Sequence, residues 1–136
     1  MVAMRVRLRS VPGTGAAIGW AGAHTVLIDR PEGRAGGTGL GFNGGEMLAL
    51  AIGGCLCNDL RYVAEKRGIA IASLAVDVTL TLAGEPLVAT EADVAIAVSA
   101  TDEAADMDDL IAAAVAVSTV SNSVRRGMIV RTKRTA

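Results

Sequence analysis

The chain predicts an α+β fold in which antiparallel sheets surround one long, buried central helix, and three features of its patterning lead there. Val76, Val78, Leu80 and Leu82 alternate with Asp77, Thr79 and Thr81, and Val94, Ile96 and Val98 resume the alternation after Gly84-Glu85-Pro86. A strand pair with one wet face reads this way. From Met47 to about Lys66 the apolar residues fall at helical spacing instead. At the start, Met4, Val6 and Leu8 alternate with Arg5, Arg7 and Arg9, which marks a further half-buried strand.

The elements follow in order. A strand is expected over residues 2–9, a turn at Pro12-Gly13-Thr14-Gly15, and two more strands over residues 16–20 and 24–29. Residues 30–41 are rich in Gly and contain Pro31, so a loop belongs there. The central helix spans residues 44–67, with Lys66 and Arg67 in a last turn that favours cations and Gly68 as its stop. It is apolar almost all round up to Cys57, as a buried element would be. After the hairpin, Thr101-Asp102-Glu103 starts a helix that runs to about Val117. Ser121 or Asn122 caps a short turn, and Met128 to Arg131 returns as a strand. The expected organisation is one domain over residues 1–136, made of an N-terminal meander with its loop (1–40), the central helix (44–67), and a hairpin, helix and final strand (72–136). No internal repeat or low-complexity linker interrupts it.

Composition narrows the function. The 136 residues are 51% hydrophobic and 20% charged, with a formal net charge of −1, so no global basic field draws nucleic acid. Aromatic residues amount to 2%, namely Trp20, Phe42 and Tyr62, which leaves no stacking platform for single strands. A core of Ala, Val, Leu and Ile buries little area per residue, and a subunit interface is a natural way to complete it. The arginines of the first nine residues break up any continuous apolar signal region, and no apolar stretch reaches bilayer-spanning length. Two cysteines this close together form no disulfide framework. The expectation is a soluble cytoplasmic protein with no membrane or nucleic-acid partner.

Those cysteines, Cys55 and Cys57, are the residues most like a site. Two positions apart on a helix they point roughly 200° away from each other, so at most one thiol faces a given pocket. Each has a plain reading as a small buried apolar side chain beside the reactive one. Arg61, one turn beyond Cys57, could stabilise its thiolate. Glu46 reads as a first-turn dipole partner or as a catalytic group. Gly53-Gly54 lets another helix approach closely, Asn58-Asp59 could orient a polar group, and His24, the lone histidine, reads as structural. These residues form no recognisable metal-ligand set, and no cofactor is expected.

Gly41-Phe42-Asn43, Glu46-Met47-Leu48 and Gly53-Gly54-Cys55 together resemble the central helix of the OsmC/Ohr family, the osmotically induced and organic hydroperoxide resistance proteins. Asp29-Arg30-Pro31 with Gly36-Gly37, and Val120-Ser121-Asn122-Ser123-Val124-Arg125-Arg126-Gly127, extend the resemblance over nearly the whole chain. It implies an intertwined homodimer with two central helices packed between sheets. It also implies a thiol-dependent peroxidase whose reactive groups lie near the dimer interface. By this resemblance Cys55 takes the place of the peroxidatic cysteine and Ser118 the place of the resolving one.

The family's activating arginine has no counterpart in residues 11–17, and the place of its supporting glutamate is held by Gly45, with Glu46 one position later. Arg30, Arg34 and Arg61 are the candidates to replace that arginine. The expected function is therefore reduction of a peroxide or another small electrophile by a single cysteine, regenerated by an external thiol or by Cys57. The alternatives are a catalytically degenerate member that binds a small apolar ligand at the dimer interface, and a purely structural dimer module. Cys55, Glu46, Cys57, Arg61 and Ser118 are the candidate catalytic residues.

Overall fold

The structure, a computed structural model, describes residues 1–135. They fall into two compact units, Met1–Leu48 and the chain from Ala49 onward.

The first unit is an antiparallel meander of β1 (Arg7–Ser10), β2 (Ala17–Ala21) and β3 (His24–Ile28) in that spatial order. Leu8 pairs with Gly19 and Gly19 with Val26, which lines apolar side chains along one face. The first strand starts at Arg7 and not at Val2, because Arg7 already pairs with Trp20 and β2 ends one residue later, leaving the first residues nothing to pair with. After β3 the chain loops out and comes back. The N–H of Phe42 donates to the Leu27 carbonyl at 2.9 Å, and that of Asp29 donates to the Phe42 carbonyl at 3.1 Å. Gly41 makes this return possible, since a Cβ there would lie 2.1 Å from the Leu27 carbonyl oxygen.

Helix α1 (Gly44–Lys66) has 23 residues and opens on a reciprocal cap. The N–H of Asn43 donates to Glu46 Oε1 at 3.0 Å, and the N–H of Glu46 donates to Asn43 Oδ1 at 2.9 Å. It closes at Gly68, whose φ of 66° lets the N–H of Ile69 reach back to the Ala64 carbonyl.

In the second unit α1 packs on a long hairpin of β4 (Ile71–Ala83) and β5 (Val88–Ala100), followed by α2 (Met107–Val117) and α3 (Thr119–Arg126). Val76 pairs with Ile96 and Val78 with Val94, while Asp77, Thr79 and Thr81 stand on the wet face as their alternation predicts. Leu82 departs from it: the register shifts between Thr81 and Leu82, and the side chain is exposed. Leu60, Ala64, Leu110 and Ala114 form the buried centre, with Leu74, Val76, Ile96 and Val98 packed against them.

Five further expectations are corrected. The helix anticipated from Thr101 begins at Met107, because Asp106 caps it by accepting the N–H of Asp109 at 3.1 Å, while Asp102 holds a separate turn through the N–H of Ala104. Ser121 and Asn122 lie inside α3, where Ser118 is the residue at the N-cap, and the Asn122 amide donates to the Ala116 carbonyl. Residues 128–131 form no strand and no ladder bonds among the described residues, and Met128, Ile129 and Val130 are exposed. Finally, α1 buries one stripe, Ile52, Gly53, Leu56, Leu60 and Ala64, instead of its whole circumference. The hairpin covers a single side, and Leu50 and Tyr62 stay 52% and 64% exposed. By length and composition alone α1 also meets the requirement for crossing a bilayer, contrary to the sequence expectation.

Candidate functional site

The loop between β3 and α1 is wound around one carboxylate. Asp29, buried, accepts the N–H groups of Arg30 at 2.8 Å, Leu40 at 3.0 Å and Thr38 at 3.1 Å, and the Thr38 hydroxyl at 3.2 Å. The Leu40 N–H bond is the largest cause of a carboxyl pKa lowered to about 2; burial works against the shift, and the bonds from Thr38 and Arg30 add to it. The Arg30 guanidinium donates to the Gly15 carbonyl and, at 3.3 Å, to Asp29. A Cβ on Gly15 would lie 2.5 Å from the Gly36 carbonyl oxygen, so glycine is required where these segments meet. Of the three arginines considered as replacements for the missing cation, Arg30 is thus engaged by Asp29 in its own loop and by Gly15 in the turn between β1 and β2.

On α1 the two cysteines are free and half-buried. The Cys55 thiol donates to Asp59 Oδ2 at 3.4 Å, one helical turn on. In this contact the thiol is the donor and the carboxylate the acceptor. The Cys57 thiol has no hydrogen bond among the described residues. Arg61, a turn beyond it, is exposed and takes part in neither of the two ion pairs found among the described residues, Arg30–Asp29 and Arg67–Asp109.

Gly53 lies two residues before Cys55, and a Cβ on it would stand 2.9 Å from Val78 Cγ2 and 3.6 Å from Val76 Cγ1. What stands close to Gly53 is a strand of the hairpin and not the other helix expected for Gly53-Gly54. A Cβ on Gly54 meets nothing within 4 Å.

Ser118 joins α2 to α3 and is fully buried. Its N–H reaches the Val115 carbonyl and its own carbonyl accepts from Asn122, but its Oγ has no partner. No hydrogen bond links it to Cys55. Glu46 is exposed and occupied with the cap on Asn43. His24 lines a cavity of about 300 Å³ over the apolar face of the meander, with Val6, Leu8, Trp20, Val26 and Met47. Among the described residues, no three His, Cys, Asp or Glu side chains converge as metal ligands.

The structure thus unites Cys55 with Asp59 and makes no bond between Cys57 and Arg61. Asp59 was the weaker signal in the sequence. Its position four residues after Cys55 places both on one helix face, and that spacing is what could have marked the pair.

Among the described residues, two antiparallel sheets, three helices and a half-buried thiol in the longest helix make an α+β fold of the OsmC kind. The family model for OsmC-like protein matches residues 37–133, and the chain belongs to this family. An OsmC-like protein of unknown function from Vibrio cholerae superposes with a TM-score of 0.79 at 10% identity, covering 90% of this chain and 94% of that one. An organic hydroperoxide resistance protein OsmC from Legionella pneumophila gives 0.63 at 19% identity, over 92% and 90% of the two chains. The organic hydroperoxide resistance protein OhrB of Bacillus subtilis gives 0.59 at 21% identity, over 91% of each. No curated protein matches the sequence.

Proposed function

We propose that this OsmC-like protein is a thiol-dependent hydroperoxide reductase in which Cys55 is the peroxidatic residue. The observation that carries the reading is the Cys55 thiol, half-buried on α1 and hydrogen-bonded to Asp59, in a chain whose family includes proteins named for organic hydroperoxide resistance. The sulfur attacks the distal peroxide oxygen, the O–O bond breaks, and the cysteine becomes a sulfenic acid while an alcohol departs. Ser118 offers no second thiol, so an external thiol reduces the sulfenic acid. Free cysteines of this kind fit a reducing compartment such as the cytoplasm.

A homodimer belongs to the same proposal. Leu50 and Tyr62 on the open side of α1, and Met128, Ile129 and Val130 near the chain end, are apolar side chains that a second copy would cover.

The test is consumption of cumene hydroperoxide in the presence of a dithiol, with dimedone trapping of the sulfenic acid. Turnover that survives Cys57→Ser and disappears in Cys55→Ser supports the proposal. If wild-type protein leaves the peroxide untouched, the second reading takes its place: a family member that binds a small apolar ligand, favoured by the apolar cavity over the meander. A solution mass equal to one chain removes the dimer.

A further inference from the structure

We propose that Asp59 is the proton acceptor for Cys55: it takes the thiol proton as the sulfur attacks an electrophile. The peroxidase reading supplies the identity of that electrophile, and the proposal rests on it for that alone. Cys55 Sγ donates to Asp59 Oδ2 at 3.4 Å, and both residues are half-buried. Among the described residues this is the sulfur's only hydrogen bond, and the Asp59 carboxylate has no other partner and no cation in an ion pair with it. The two side chains stand one turn apart on α1, so helix geometry keeps them together.

A thiol beside a cation loses its proton in advance; a thiol beside a carboxylate needs somewhere for the proton to go during attack. Asp59 provides that place. As the bond forms between sulfur and the distal oxygen of an organic hydroperoxide, the O–O bond breaks and the electron pair leaves on the alkoxide. The thiol proton passes to the Asp59 carboxylate and from it to the alkoxide. The products are the sulfenic acid of Cys55 and an alcohol, with the sulfur oxidised, the peroxide reduced and the carboxylate regenerated. Asp59 touches the reacting atom and is in this sense a catalytic residue.

The experiment uses the full chain carrying Cys57→Ser, with Asp59→Asn and Asp59→Glu added separately. Two rates are followed at neutral pH: alkylation of Cys55 by iodoacetamide, which needs no peroxide, and dimedone-trapped sulfenic acid formed with cumene hydroperoxide. Asp59→Asn, equal in size and unable to take the proton, is expected to slow both by about a hundredfold, the low end of what a general base supplies. Asp59→Glu, which keeps the carboxylate, retains most of each rate. Alkylation in Asp59→Asn at the parent rate or faster overturns the proposal, because the carboxylate then restrains the thiol instead of assisting it. Slowed alkylation with no sulfenic acid in any variant upholds the role of Asp59 and removes the peroxidase reading. If Asp59→Asn loses its far-UV circular dichroism, Asp59→Gln against Asp59→Glu makes the same comparison.

Discussion

The Asp29 carboxylate accepts the N–H of Leu40, eleven residues further along, at 3.0 Å, and with the bonds from Thr38 and Arg30 it gathers the whole loop ahead of α1 onto one side chain. The charge on Asp29 is therefore part of the fold. Its folded-state pKa lies at about 2 against an ordinary 3.8, a depressed value. The stabilisation it gives is complete above its ordinary value and is lost as pH falls from about 4 through about 2. Urea midpoints across that window should show wild type above Asp29→Asn at the upper end, with the gap shrinking toward the acid end. A gap that stays constant with pH overturns the assignment.

Gly53 and Gly54 are neighbours with opposite expectations. An alanine at 53 drives a methyl to within 2.9 Å of Val78 Cγ2, and overpacking of this kind costs about 1–3 kcal/mol. An alanine at 54 meets open space in the chain, so it gains up to about 1 kcal/mol from helix propensity. Chemical denaturation of both variants checks the pair. Destabilisation by Gly54→Ala would show that another surface, such as a second copy, packs at that point.

Ser118 carries a buried hydroxyl without a partner. Removing such a group relieves an unmet hydrogen bond worth about 1–3 kcal/mol and opens only a small space. Ser118→Ala is therefore expected to match or exceed wild type in thermal stability. A clear loss would mean that the hydroxyl has a partner in solution, such as an ordered water.

The cap on α1 can be separated from any chemistry of Glu46. Asn43→Ala removes the side-chain half of the cap and is expected to cost about 1 kcal/mol. Glu46→Gln keeps an acceptor for the Asn43 N–H and should leave stability within about 0.5 kcal/mol of wild type. Peroxide turnover in Glu46→Gln then reports on the charge alone. If its turnover equals that of wild type, Glu46 serves only as a cap.

Much of this architecture was legible in the residues, and the exceptions have physical causes. The alternation of Val76, Val78, Val94 and Ile96 located the hairpin and its wet face, because burial on one side of a sheet enforces a period of two. The end of α1 was readable from Gly68, whose positive φ the stop requires. The strand expected at Met128 to Arg131 carries the right pattern, but pattern alone does not supply a pairing edge, and within the described chain that segment has none. The helix start at Asp106 was hidden among several acidic residues, each a plausible cap by type.

At the site, the sequence pointed to Cys55 through its resemblance and sought a cation to accompany it. The structure instead places the Asp59 carboxylate against the sulfur. That contact depends on side-chain direction along a helix, which residue type alone does not specify.

Since Cys55 and Asp59 are separated by a single turn of one helix, their encounter owes nothing to how distant parts of the chain are assembled. The pair is portable: a peptide or unrelated scaffold that holds Gly44–Lys66 helical inherits the thiol and its proton acceptor together, while everything built around them remains free to diverge.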